Sequence, residues 1–166
     1  LMIAKRLKRH LEKVSGIRAI LTRDEDIFIP LEERSKFANE KKADLFLSIH
    51  CNAHNSSRMR GVQTYFLDTI KDQYSRKLAA RENAMSLDKM SDLEMILLDL
   101  ANRETHEQSS RVAGLIQHSM LQGLRGQFSG VDDLGVRTAV FLVLFYAEMP
   151  SVLVETSFIS NRTEEA

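Results

Sequence analysis

The sequence predicts an α/β fold: a single twisted mixed sheet flanked by helices, with a helical insertion in the middle of the chain. Three observations point there. Short apolar runs of strand length alternate with amphipathic stretches of helical period. Residues 72–124 contain no proline and carry successive helical stripes. No internal repeat, low-complexity tract or linker divides the 166 residues, a length that suits one domain with a core of its own.

Each element has its own signal. Met2, Ile3, Leu7, Leu11 and Val14 recur at helical spacing among Lys and Arg, and Gly16 is placed to stop that helix. Ile17 to Thr22 then reads as a short strand. Pro30 can open a second helix, through Leu31, Phe37 and Ala38, because its fixed φ suits a first turn. Asp44 to His50 contains the compact run Leu45, Phe46, Leu47 and Ile49 of a buried strand. Gly61 to Leu67 reads as another, with Val62, Thr64 and Phe66 alternating against Gln63, Tyr65 and Leu67. In the middle, Leu93, Ile96, Leu97 and Leu100 give one helical stripe. Val112, Leu115, Ile116, Met120 and Leu124 give another, with breaks expected near Met85–Met90 and Arg103–Glu107. Gly126 to Gly135 reads as a polar loop, and Pro150 introduces a last buried strand, Ser151 to Thr156.

Composition narrows the function. Hydrophobic residues make up 43% and charged residues 28%, ordinary values for a globular protein. Lys and Arg balance Asp and Glu, so bulk charge holds the chain to neither nucleic acid nor an anionic membrane. The longest apolar stretch, Ala139 to Ala147, is far short of a transmembrane helix. Cys51 is the single cysteine, so no internal disulfide forms, which leaves the compartment open. Leu1 opens directly into a helical pattern without a start methionine. The expectation is therefore an internal piece of a longer protein, whose targeting segment lies elsewhere.

Two residues stand out chemically. His50 ends an apolar strand, and ligands in open α/β sheets bind at the carboxyl ends of strands. A neutral imidazole there suits zinc, although position alone favours a hydrogen-bonded structural histidine. Glu155 follows Val152, Leu153 and Val154, at the edge of a dry region. Burial there would raise its pKa and suit it to proton transfer, while a salt-bridged glutamate fits the position equally well. His54 reads as a solvated loop residue or a substrate contact; His10, His106 and His118 read as structural. Cys51 reads as a small buried residue, and Lys41–Lys42 and Arg58–Arg60 as solvated faces.

Around these residues the motifs come in a recognisable order. They are Leu21-Thr22-Arg23-Asp24, Ile29 to Arg34, Ala38-Asn39, Ala43 to Ala53, Gly61 to Phe66, Met149 to Asn161, and Glu164-Glu165 opening a further helix. Together they resemble the zinc-dependent N-acetylmuramoyl-L-alanine amidases of the type 3 family, along nearly the whole chain. The resemblance implies zinc held by His, Glu and His, with His50 as the last of these, and Glu155 as the catalytic acid/base. It implies hydrolysis of the amide between N-acetylmuramic acid and L-alanine of the stem peptide in peptidoglycan. Zinc would supply Lewis-acid activation, and Glu155 would carry the proton from water to the leaving amine. The family's first two zinc ligands, in and after a His-Gly-Gly segment, are expected upstream of Leu1. Residues 1–166 then correspond to a catalytic domain truncated at its N-terminus, and at Ala166 as well. Thr138-Ala139-Val140-Phe141 departs from a pattern with proline before the phenylalanine.

The middle of the chain resembles the insert of the division-associated members, which covers the active site until an activator protein binds. Residues of about 81–105, including Arg81-Glu82-Asn83-Ala84 and Asp92 to Leu100, correspond to it. Glu82 is the candidate regulatory residue, filling an open zinc position. The stripe from Leu93 to Leu100 would pack over the cleft or receive the activator; plain core helix is the alternative. The implied setting is an exported protein of the periplasm or cell envelope. A non-catalytic relative that binds peptidoglycan or a partner is the alternative function, and a zinc hydrolase of another amide is a third. Retention of both His50 and Glu155 favours an enzyme.

Overall fold

A computed structural model describes residues 1–69, 72–87, 89, 92 and 104–165. Four strands, β1 (Phe46–Asn52), β2 (Val62–Leu67), β3 (Asp133–Ala139) and β4 (Ser151–Phe158), form one sheet in the order β1-β4-β2-β3. β1 and β4 run parallel, β2 and β3 run parallel, and the central pair β2 and β4 is antiparallel, so the sheet is mixed. The described helices are α1 (Met2–Leu11), α2 (Leu31–Glu40), α3 (Gln73–Glu82), α4 (Glu104–Arg125), α5 (Leu142–Phe145) and α6 (Arg162–Glu165).

The two central strands are dry on both faces, as their sequences require. In β4, Ser151 to Glu155 are all buried, and in β2 Val62 to Phe66 are. On one face, Val112, Ala113, Ile116 and Met120 of α4 cover Phe66, Val152 and Val154. On the other, α2, α3 and α5 enclose Phe46, Tyr65, Leu78, Ala79, Phe141, Leu144 and Leu153. Residues four apart on α4 share its inner face. Leu115 falls outside that stripe and is 67% exposed.

The helix ends follow local chemistry. Pro30 precedes α2 with φ −51, and Glu32 and Glu33 sit in the first turn, where the helix dipole favours acidic groups. Asp72 caps α3 by accepting the Ser75 N–H at 2.9 Å. α1 closes five residues before Gly16, through tight turns such as Val14 N–H to Leu11 O, and Gly16 ends them at φ +84. No residue of α1 is buried.

Three sequence expectations need correction. Ile17 to Thr22 is extended but not a strand, and Ile17 and Ile20 are 45% and 43% exposed. Extended chain becomes a strand only when a neighbour takes up its backbone N–H and C=O groups, and among the described residues β1 pairs with β4 alone. Conversely, the end of the expected loop Gly126–Gly135 belongs to β3, whose alternation is broken by Gly135 at φ +79. β1 also lies two residues later than expected, at Phe46–Asn52. The stripe Leu93, Ile96, Leu97 and Leu100 lies outside the described residues, as does most of the expected insert 81–105.

Candidate metal and proton-transfer site

The sheet brings the two singled-out residues together. β1 and β4 are in register with His50 opposite Glu155, and Gln63 of β2 lies opposite Glu155 on its other side. Residues in register point to the same face. That face is the one carrying Phe46, Tyr65 and Leu153, beneath α3. Beyond His50 the β1 register slips before Asn52. Such a bulge re-aims the chain beside a site.

The third member comes from α3. Glu82 is its last residue, and its Oε2 lies 3.0 Å from His50 Nδ1. One ligand atom each from His50, Glu82 and Glu155 lie within 4.8 Å of one another. His50 and Glu82 are partly open to solvent, with side chains 20% and 23% exposed, whereas Glu155 is fully buried.

The electrostatics separate the two carboxylates. The hydrogen bond with His50 holds the Glu82 carboxyl below its usual range against the opposing effect of burial, and the Arg81 guanidinium assists. Burial pushes the Glu155 carboxyl up to about 7; His50 and Arg81 oppose that rise, and the Glu82 charge adds to it. Among the described residues, neither Glu155 oxygen has a hydrogen-bond partner. Gln63, the polar neighbour on β2, is committed elsewhere: its Nε2 donates to Leu134 O and its Oε1 accepts from Tyr65 OH.

A buried carboxylate with both oxygens unpaired is costly, and a cation or a water would satisfy it. The donors on offer, an imidazole nitrogen and carboxylate oxygens, are of the type zinc takes. By both criteria the residues present fit a metal.

The remaining candidates lie apart from this cluster. His54 Nδ1 accepts the Ser56 N–H, and its ring stacks loosely on Tyr74. Cys51 is exposed rather than buried, with Sγ 3.4 Å from Thr156 Oγ1. His106 pairs with Asp68, and His10 and His118 are exposed. Arg60 is not merely solvated, since it pairs with Asp132 at 3.0 Å. Sequence reasoning missed Asn52 and Arg81, which fasten the end of β1 to α3. Asn52 Nδ2 donates to Tyr74 OH, and Arg81 donates to Asn52 Oδ1 and Ala53 O.

A mixed α/β sheet thus carries, where two parallel strands meet the end of α3, a His and Glu cluster that could hold a metal ion. The chain belongs to the N-acetylmuramoyl-L-alanine amidase family Amidase_3, whose profile matches residues 1–166. It is 34% identical to AmiC of Escherichia coli O6:H1 over 173 residues, covering 99% of this chain and 40% of that protein. It is 35% identical to LytC of Bacillus subtilis over 162 residues, covering 98% of this chain and 25% of that protein. The chain thus spans well under half the length of these relatives. Among solved structures, an amidase from Clostridium difficile 630 superposes with a TM-score of 0.69 at 25% identity, over 98% of this chain and 67% of that one. The catalytic domain of CwlV from Bacillus (Paenibacillus) polymyxa var. colistinus gives 0.63 at 25% identity, over 99% of this chain and 68% of that one.

Proposed function

We propose that residues 1–166 form the catalytic domain of a zinc-dependent N-acetylmuramoyl-L-alanine amidase that works on peptidoglycan in the periplasm or cell envelope. The observation that carries this reading is the register of His50 with Glu155 on one face, with both Glu155 oxygens unpaired. Family membership supplies the bond: the amide joining N-acetylmuramic acid to L-alanine of the stem peptide. Among the described residues, no helix is long and apolar enough to cross a membrane.

His50 would hold the zinc, whose chemistry when bound is to polarise a carbonyl and lower the pKa of water. Glu155 is the proton carrier. With a carboxyl pKa near neutrality, it can accept a proton from the attacking water and return it to the leaving amine. Its dry surroundings keep that proton from leaking to solvent.

Glu82 is a blocking ligand. Its carboxylate already faces His50 at 3.0 Å, where an incoming carbonyl or water would need room. An activator protein acting on the insert of about 81–105 would withdraw it.

The decisive experiment incubates the full-length, zinc-loaded protein with purified cell wall. Released stem peptides that begin with free L-alanine support the reading. Wall that is bound but left uncut would instead favour a non-catalytic binding relative. Glu82→Ala should raise basal hydrolysis, and unchanged hydrolysis would reject the blocking role.

A further inference from the structure

We propose that the Arg81 guanidinium is the latch that keeps Glu82 on His50, so that the block is released by detaching Arg81 from the end of β1. This rests on the reading of Glu82 as a blocking group and identifies what holds it there. Arg81 is a positioning residue, acting through its neighbour.

The contacts make the case. Arg81 Nη1 donates to Ala53 O at 2.7 Å, and Nη2 donates to Asn52 Oδ1 at 3.1 Å. Nε and Nη2 also meet Glu82 Oε1, at 3.2 and 3.1 Å. One planar fork therefore joins the end of the histidine strand to one oxygen of the carboxylate whose other oxygen is on His50. Without it, that oxygen would face solvent and the Glu82 side chain would regain its rotamers.

The receiving side is equally fixed. Asn52 is 1% exposed and follows His50 by two residues. Its Nδ2 donates to Tyr74 OH at 3.0 Å, while its Oδ1 takes both the Ala53 N–H and Arg81. Tyr74 and Arg81 are seven residues apart, two turns of α3, and so share the side of the helix whose side chains reach the end of β1. Asn52 thus grips the helix near both ends.

On the far side of Glu82, Asn83 donates to Val140 O at 2.7 Å and accepts the Leu142 N–H at 2.8 Å. Those bonds sit in the core, whereas the Arg81 side chain is 46% exposed. Of the two grips that flank Glu82, only the Arg81 grip can open without disturbing the interior.

The test uses the full-length, zinc-loaded protein with E82A, R81K, R81A and the double variant R81A/E82A. Thermal unfolding selects the variants that fold. Two quantities are then read: the rate at which a chelator withdraws zinc, and basal hydrolysis of purified cell wall. E82A should raise both by about tenfold, the worth of one charged hydrogen bond. R81A should raise both by several-fold. R81K should follow it, since an ammonium keeps the charge but cannot span three acceptors with a planar fork. The double variant should match E82A alone, because a latch has nothing left to hold. If E82A accelerates both readouts while R81K and R81A stay at the wild-type value, the latch is wrong and the block stands. If E82A itself changes neither, the blocking reading fails and takes the latch with it. A double variant clearly faster than E82A would also overturn the latch, by showing that Arg81 acts through something else.

Discussion

His50 and Glu155 face each other across neighbouring parallel strands, at the last paired position before β1 slips register. The pairing places a partly open imidazole beside a fully buried carboxyl on one face of the sheet. The proposed proton transfer and stability make opposite demands on that carboxyl. Proton transfer needs a dry group of raised pKa, whereas folding would gain from removing a buried carboxylate whose oxygens are unpaired.

Glu155→Gln separates the two. The amide keeps the shape but cannot carry the proton, so hydrolysis by the full-length protein should fall by roughly 10²–10⁴-fold. In metal-free buffer the same variant should unfold at a higher temperature than the wild type, because an amide costs less to bury than an ionised carboxyl. A lower unfolding temperature for E155Q would mean that the carboxylate does have a stabilising partner.

Asp72 supplies a pH-dependent test away from the candidate metal site. Burial alone would raise its pKa. The Ser75 N–H and hydroxyl bonds and the Arg137 guanidinium outweigh that and lower it from the ordinary 3.8. A folded-state pKa below the unfolded one gives stability that is complete above 3.8 and is lost as pH falls through the lowered value. Asp72→Ala should cost about 1 kcal/mol at neutral pH, as other lost helix caps do. The wild-type and variant unfolding temperatures should then converge in strong acid. A gap that persists undiminished in acid would show that the carboxylate charge is not what caps α3.

The parts of this site that were legible in the sequence are those that local pattern encodes. An apolar run ending in a polar residue marked both His50 and Glu155, because a buried strand emerges where its ligand-facing end begins. Pairing was not legible. Ile17 to Thr22 is the more β-prone stretch, yet Asp133 to Ala139, whose start reads as polar loop, is the one that finds a ladder, beside β2. The Arg81–Asn52 bond joins residues 29 apart in sequence, and nothing local distinguishes Arg81 from a solvated helix arginine. Glu82 was legible only through family resemblance, since its partner His50 lies on another element.

Metal binding should couple to stability through His50. A ligand that binds only the folded state raises stability by about 2.7 kcal/mol at a hundred times its dissociation constant. Zinc should therefore raise the unfolding temperature of the metal-stripped full-length protein, and His50→Ala should remove most of that rise. Equal zinc-induced shifts in wild type and H50A would place the metal away from β1.

Two glycines give a matched pair of opposite sign. Gly61 precedes β2 with φ +111, a conformation that L side chains rarely adopt. An added Cβ would sit 2.3 Å from Asp132 O and 2.9 Å from Asp132 Cβ. The backbone there cannot retreat easily, since Val62 N–H donates to the same Asp132 oxygen. The Gly61 N–H also donates to Glu164 Oε1 at 2.6 Å, while Oε2 of that carboxylate takes the Phe158 N–H at 2.7 Å. A shift at Gly61 therefore loosens the ends of β2 and β4 beyond Glu155 as well. Gly61→Ala should cost about 3 kcal/mol, backbone strain and steric clash adding together. Gly114, by contrast, lies within α4, and a Cβ there meets nothing within 4 Å. Gly114→Ala should stabilise by up to about 1 kcal/mol, through helix propensity alone. Denaturant unfolding of the two variants reads both effects on one scale. Equal and small changes would mean that the Gly61 turn relaxes freely, and that the Glu164 clasp does not fix the strand ends beside the site.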